Sequence, residues 1–120
     1  MTDPQIPNPA GATPATPIEP VWTAVGNASE WPANGGRLAR VGARRIGVYH
    51  HADAWYALKD VCPHAGVSLV QGPVHDGQVM CIGHGWTFSL TSGEVVRGPQ
   101  GVKVGTYPVR VREGVVEVAV

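Results

Sequence analysis

The chain has 120 residues, enough for one domain with a modest hydrophobic core. Nine Lys and Arg residues balance nine Asp and Glu residues, which excludes a strong overall field that would attract nucleic acid or an anionic membrane surface. The sequence contains no apolar run of about 18 residues and no basic-then-apolar leader, so we expect neither a transmembrane helix nor a secretory signal.

Residues 1–20 differ in composition from the rest of the chain. They hold six of the eleven prolines, set among Ala, Thr and Asn. Such a segment has too little apolar surface to bury a core, so we expect a disordered, proline-rich N-terminal arm. The domain is therefore predicted to span residues 21–120.

Short apolar runs separated by turn residues follow from residue 21 onwards. Abundant Gly and Pro, with no long stretch of helix formers, favour short strands joined by turns. Strands are predicted at 21–25, 37–41, 45–50 and 54–58, with a break at 30–32 and turns at Gly42 and at Ala52-Asp53.

The second half of the domain shows the same strand-and-turn pattern. Asp76-Gly77 is a hairpin signal leading into a strand at 78–81, and Gly72-Pro73 is a further turn signal. Residues 107–112 alternate apolar with polar, turn at Glu113-Gly114 and return through 115–120. The fold class predicted is all-β, an antiparallel sandwich or barrel with a subdomain of loops.

Two Cys–His pairs, Cys62-Pro63-His64 and Cys81-Ile82-Gly83-His84, carry the chemistry of the sequence. They use both cysteines of the chain, and 16 residues separate them. Two thiolates and two imidazoles form the ligand set of a Rieske [2Fe–2S] centre, in which two Cys bind one iron and two His bind the other. With no spare cysteine for a disulfide, we expect the reducing cytoplasm.

Two other interpretations are consistent with these Cys–His pairs. All four residues could be structural, which requires two Cys–His pairs to arise by chance in Gly- and Pro-rich loops. A tetrahedral zinc site also accepts two Cys and two His. Zinc fingers, however, pair Cys with Cys and place the two His on a helix, whereas here each loop mixes the two ligand types.

The residues around the two pairs resemble those of the Rieske ferredoxin family. The resemblance covers about residues 21–120 and its central motif is specific. It rests on the segments Cys62-Pro63-His64-Ala65-Gly66, Cys81-Ile82-Gly83-His84-Gly85-Trp86-Thr87-Phe88, Thr91-Ser92-Gly93-Glu94, Arg97-Gly98-Pro99, 107–111 and 114–116.

The resemblance implies one Rieske-type [2Fe–2S] cluster and assigns its ligands. Cys62 and Cys81 would bind the inner iron, and His64 and His84 the outer iron near solvent. A third loop at Gly98-Pro99 would cover the cluster. One position departs from the family pattern, since many members have Pro where this chain has Ile82, which puts the rigidity of the second loop in doubt.

The resemblance also predicts a low reduction potential. High-potential relatives have a disulfide between the two cluster loops and a Ser and a Tyr that donate hydrogen bonds towards cluster sulfurs. Here Val67 and Gly83 replace the two cysteines, Trp86 the Ser and Phe88 the Tyr. Without those donors the reduced cluster is less stabilised, so we expect the low end of the range, of order −150 mV.

The resulting functional hypothesis is a one-electron carrier rather than an enzyme. No residues remain for the second iron site of a Rieske oxygenase, so catalysis would occur in a partner. The expected partners are a flavin- and NAD(P)H-dependent reductase and a terminal oxygenase or reductase. We expect the carrier to be a monomer that binds them in transient complexes around His64 and His84. The alternatives are a Rieske small subunit of a larger oxidoreductase, such as assimilatory nitrite reductase, and a zinc-stabilised structural module.

The remaining histidines and tryptophans are given structural roles. His50, His51 and His75 are predicted to face solvent, since four ligands are already supplied. Trp22, Trp31 and Trp55 are predicted to pack in the core or at sheet edges. Trp86 could shield the cluster from water or serve as an ordinary core residue.

Overall fold

A computed structural model describes residues 21–63, 66–83 and 85–120. The predicted N-terminal arm, His64, Ala65 and His84 lie outside the described residues. Within the described part, two short 3₁₀ turns (Ala28–Glu30 and Leu69–Gln71) accompany eleven strands. The strands are β1 (Trp22–Asn27), β2 (Gly35–Val41), β3 (Arg44–His51), β4 (Ala54–Lys59), β5 (Val74–His75), β6 (Gln78–Met80), β7 (Thr87–Ser89), β8 (Val95–Arg97), β9 (Thr106–Tyr107), β10 (Val109–Arg112) and β11 (Val115–Ala119).

The described strands form three antiparallel sheets. The first has the order β1-β11-β10, the second β2-β3-β4-β9 and the third β5-β6-β7-β8. The first sheet joins the two ends of the domain, because β1 pairs with β11. The all-β antiparallel prediction is confirmed, and among the described residues no helix is long and apolar enough to cross a membrane.

The second sheet is buried on both faces, which divides the interior into two cores. Successive side chains on a strand point to opposite faces, so Ile46 and Val48 of β3 lie on one side while Tyr49 lies on the other. The tryptophan core lies against the first sheet and contains Trp31, Ala39, Ile46, Val48, Ala57, Val116 and Val118. The cysteine core lies against the third sheet and contains Tyr49, Leu58, Cys62, Leu69, Val79, Cys81, Phe88, Leu90 and Val104.

Tight two-residue turns occur where the sequence predicted them. The pairs Ala52-Asp53, Asp76-Gly77 and Glu113-Gly114 have positive φ at both residues, as a type I′ hairpin turn requires. They connect β3 to β4, β5 to β6 and β10 to β11. The Asp76-Gly77 hairpin is therefore confirmed, and it leads directly into the strand that ends before Cys81.

Two details of the strand prediction were wrong or incomplete. The predicted single strand at 107–112 is split at Pro108 into β9, which pairs with β4, and β10, which pairs with β11. Proline has no N–H to donate and restricts the residue before it, so the chain changes sheets there. The short strands β7 and β8 were not predicted, because three residues are too few to show an alternating pattern.

Candidate metal centre

The two predicted cysteine ligands lie in separate loops that the fold brings to one core. Cys62 follows β4, and Cys81 lies between β6 and β7. Both residues are 1% exposed and belong to the cysteine core. The second sheet supplies one wall of that core and the third sheet supplies the other. Residues far apart in the sequence thus place the two thiols in the same buried region.

The two loops have the same backbone hydrogen-bonding pattern. In the first, the N–H of Cys62 donates to the carbonyl of Val67 at 2.8 Å and the N–H of Gly66 donates to the carbonyl of Cys62 at 2.8 Å. In the second, Cys81 donates to Trp86 at 2.7 Å and Gly85 donates to Cys81 at 3.0 Å. Each cysteine therefore opens a turn closed by the residues four and five positions later.

The glycine that closes each turn has a backbone conformation that other residues rarely adopt. Gly66 has φ +69 and Gly85 has φ +79, both in the left-handed region where a Cβ is costly. In the sequence, His64 stands at the second position after Cys62, and His84 at the third position after Cys81. The structure describes the turn residues on either side of these two histidines, while the histidines themselves lie outside the described residues.

The surroundings of Cys81 suit a sulfur that carries negative charge. The backbone N–H of Gly83 donates to Cys81 Sγ at 3.4 Å, a contact that stabilises a thiolate more than a neutral thiol. Hydrogen bonds to sulfur are also one of the quantities that set the potential of an iron–sulfur cluster. Two buried cysteines in matched turns, with the Gly83 N–H directed at the sulfur of Cys81, fit a Rieske-type cluster.

The residues that replace the inter-loop disulfide of high-potential relatives lie next to each other. A Cβ built on Gly83 would lie 3.5 Å from the Cγ2 methyl of Val67 and 3.5 Å from Cys81 Sγ. The two loops therefore approach each other closely at this point, where a Cβ on Gly83 would just reach the Val67 methyl. Phe88, at the position of the Tyr, is fully buried in the cysteine core and offers no hydroxyl.

The third loop lies against the residue that follows the second cluster loop. A Cβ on Gly98 would lie 3.2 Å from the indole of Trp86, so the loop backbone packs closely on that ring. Trp86 is half-buried and packs against the cysteine core. This contact links the Gly98-Pro99 loop to the second cluster loop and agrees with a shielding role for Trp86, which stays a prediction.

The other three histidines have contacts that explain their presence without a metal. His51 accepts the N–H of Gly77 at Nε2 (2.9 Å), so its Nδ1 carries the proton and donates to Asn34 Oδ1 (2.9 Å). His50 stacks on Trp55 with ring centroids 4.4 Å apart. His75 is exposed as predicted, beside Asp76. His50 and His51 are half-buried, so the prediction that they face solvent holds only in part.

The tryptophans outside the cluster loops pack as predicted. Trp31 is buried, donates its indole N–H to the carbonyl of Val48 at 2.8 Å and meets Trp55 edge-on. Trp22 lies at the sheet edge under the guanidinium of Arg110, 4.1 Å from the ring centroid. These rings stabilise the sheets that hold the site.

One buried charged residue near the site was missed by sequence reasoning. Asp60, two positions before Cys62, has 0% exposure, and Ser68 and Val70 donate hydrogen bonds to its carboxylate. No sequence signal indicates this burial, since an Asp after a strand is typical of an exposed turn.

A comparison with protein-family models settles the family. Residues 21–108 match the model for the Rieske [2Fe–2S] domain. The chain belongs to the Rieske [2Fe–2S] family. Its cofactor is accordingly one Rieske-type [2Fe–2S] cluster, which the matched turns around Cys62 and Cys81 accommodate, and a zinc site is not supported.

Relatives of this chain include carriers from oxygenase systems. Ferredoxin CarAc of Metapseudomonas resinovorans is 36% identical over 100 residues, covering 82% of this chain and 94% of the relative. The structure of a complex of reduced oxygenase and oxidised ferredoxin in carbazole 1,9a-dioxygenase contains a chain 34% identical, with TM-score 0.76, covering 84% of this chain and 94% of that chain.

A nitrite reductase subunit is a further structural relative. A crystal structure assigned as an NADH-dependent nitrite reductase small subunit from Mycobacterium tuberculosis is 25% identical, with TM-score 0.78. It covers 84% of this chain and 96% of that chain. The same fold therefore occurs in a ferredoxin and in a subunit of a larger reductase.

Proposed function

We propose that this protein is the ferredoxin component of an oxygenase system, a one-electron carrier that takes electrons from a flavin- and NAD(P)H-dependent reductase and passes them to a terminal oxygenase. The observation that carries the proposal is the similarity over nearly the whole domain to ferredoxin CarAc and to the ferredoxin of the carbazole dioxygenase complex. Both relatives are named as ferredoxins, which favours a carrier without its own substrate site.

The proposed ligands are Cys62, His64, Cys81 and His84. When bound, the cluster supplies reversible one-electron redox chemistry. The two buried cysteines would hold its inner side within the cysteine core, away from water. The two loop histidines would hold the outer side, where an electron can pass to a partner.

The proposed docking surface surrounds the tips of the two cluster loops. Pro63 is exposed in the first loop, and Ile82 is 52% exposed in the second. A small apolar surface around a redox centre suits the weak, short-lived complexes that electron carriers form. The carrier would work as a monomer in the cytoplasm.

A second candidate function is the small subunit of a larger reductase. The structural similarity to the nitrite reductase small subunit favours it. The two functions differ in how the partner is held, because a subunit binds permanently and a ferredoxin binds transiently. Purification of the tagged protein from its own cells separates them: a stoichiometric partner that survives gel filtration supports the subunit, and a monomer supports the ferredoxin.

The first test of the proposal is electron paramagnetic resonance of the dithionite-reduced protein. We expect a rhombic signal with a low average g value, the signature of mixed Cys and His ligation. The reduced protein should then be reoxidised by a terminal oxygenase of its own system. A colourless protein with stoichiometric zinc would overturn the proposal.

The ligand assignment is tested by variants of the loop histidines. His84→Cys should retain a cluster whose potential moves towards the more negative plant-type values, since thiolate replaces imidazole. His75→Ala is the matched control, because His75 is exposed on the hairpin at 87%. The assignment fails if H84C leaves spectrum and potential unchanged, or if H75A changes them as much.

A further inference from the structure

The two cluster loops are closed at their bases in different ways. Below the second loop, Met80 and Thr87, which flank Cys81 and Trp86, are a cross-strand pair of β6 and β7. The equivalent positions below the first loop are Val61 and Ser68, and neither belongs to a strand. In the first loop a side-chain hydrogen bond closes the base instead, since the Ser68 hydroxyl donates to the carboxylate of Asp60.

Asp60 ties both ends of the first loop to the second sheet. Its Oδ1 accepts the backbone N–H of Val70 at 2.9 Å, and its Oδ2 accepts the Ser68 hydroxyl. The backbone N–H of Asp60 donates to the carbonyl of Arg45 at 3.0 Å. These hydrogen bonds hold the carboxylate between the start of the loop and the segment that leaves it.

The backbone of the second sheet approaches this carboxylate closely at Gly47. A Cβ on Gly47 would lie 2.6 Å from Val70 Cγ1, 2.9 Å from the Tyr49 hydroxyl oxygen and 3.1 Å from Asp60 Oδ1. The sheet backbone at Gly47 therefore lies directly against the Asp60 hydrogen bonds. Asp60 therefore has close neighbours in the second sheet and in the segment that leaves the first loop.

The charge of Asp60 is only partly neutralised. A guanidinium nitrogen of Arg45 lies 3.7 Å from Asp60 Oδ2, and the Arg45 side chain is 42% exposed while Asp60 is fully buried. The cation is thus screened by water and the anion is not. A net negative field remains on the buried side of the first loop.

We propose that Asp60 is a positioning residue for the first cluster loop and that its buried charge lowers the reduction potential of the cluster. The inference rests on the proposed ligand Cys62. Asp60 and Cys62 are two residues apart, so their Cα atoms lie within about 7.6 Å of each other, and a cluster bound at the Cys62 thiol would lie on the order of 10 Å from the carboxylate. At an effective dielectric constant of about 20, one charge at about 10 Å disfavours reduction about 16-fold, or about 70 mV for a one-electron couple.

The experiment compares the midpoint potentials of two variants that change the field in opposite directions. Asp60→Asn keeps the shape and one acceptor oxygen, which can still accept from the Val70 N–H, but removes the charge, so the potential should rise. Arg45→Gln removes the nearby cation, so the potential should fall, by less because Arg45 is screened. Asp76→Asn, an exposed carboxylate on the hairpin, is the matched control and should leave the potential unchanged. A merely loosened loop would not produce shifts of opposite sign.

Ser68→Ala tests the positioning role and keeps the charge. The variant should lose its cluster to a chelator faster than the wild type, with much less change in potential than D60N. If D60N cannot hold a cluster, the S68A and R45Q variants test the inference instead. The inference is overturned if S68A loses its cluster to the chelator at the wild-type rate and R45Q shows no fall in midpoint potential. Shifts of D60N and R45Q in the same direction also overturn the role of the charge. The wild-type spectrum separates the proposed ferredoxin function from the proposed role of Asp60. A wild-type protein without a Rieske signal rejects the function itself, whereas the variants test only Asp60.

Discussion

Replacing Tyr49 with Phe should stabilise the protein, although Tyr49 lies in the centre of the cysteine core. The Tyr49 side chain is fully buried, and its hydroxyl has no hydrogen-bond partner among the described residues. A buried polar group without a partner costs about 1–3 kcal/mol. Because Phe keeps the ring and removes only the hydroxyl, we expect Y49F to gain about 1 kcal/mol at pH 8.

The advantage of Y49F should grow at alkaline pH. Burial raises the pKa of the Tyr49 hydroxyl well above its usual value, and the negative charge of Asp60 raises it further. The unfolded chain loses this proton near pH 10 while the folded protein keeps it, so above pH 10 the unfolded state binds fewer protons and stability falls as pH rises. The loss at pH 11 is about 1.4 kcal/mol, whereas below pH 10 the contribution of Tyr49 is unchanged.

Thermal unfolding of the cluster-loaded protein under anaerobic conditions, at one scan rate, measures both effects. For a domain of this size, 1 kcal/mol corresponds to a shift of about 4–8 °C in Tm. Tyr56→Phe, a half-buried tyrosine of the same core, is the control. A Y49F protein destabilised at pH 8 would show that the hydroxyl has a partner. A difference between wild type and Y49F that stays constant from pH 8 to 11 would refute the pKa argument.

Three further predictions concern the frame of the site. Gly72→Ala should impair cluster binding, because a Cβ there would lie 1.7 Å from the carbonyl oxygen of Met80, just before Cys81. Gly105→Ala is the control, since there is open space where its Cβ would lie. Equal iron content in both variants would contradict the prediction. Removal of the cluster should lower the hydrogen-exchange protection of the cysteine core far more than that of the tryptophan core, since both cysteines lie in the cysteine core. Exchange mass spectrometry measures this difference. An equal loss of protection in both cores would argue against two separable cores. Glu117→Gln should cost no more than about 1 kcal/mol, because its pair with Arg110 (2.6 Å) is half-buried on the first sheet, which among the described residues packs against the tryptophan core rather than the cysteine core. The visible spectrum should not change, and a bleached spectrum would show that the first sheet supports the site more directly than its position indicates.

The sequence alone determined the family, the fold class and the residues proposed as ligands. The reason is that the signals are local: a Cys and a His within three residues of each other, glycines that permit a left-handed turn, and two-residue turns such as Asp76-Gly77 whose positive φ angles few residues adopt. Each of these restricts the backbone without reference to the rest of the chain. The strands with clear alternation, such as β3, were predictable for the same reason.

Only the tertiary structure decided how the two cysteine loops are supported. Three features join separate segments of the chain. Asp60 is buried between Ser68 and Val70, Gly83 lies close to Val67, and Gly98 packs on Trp86. The division at Pro108 likewise depends on which sheet each half can pair with. Such contacts follow from the packing of side chains across a shared core, which the spacing of residues in a sequence does not encode.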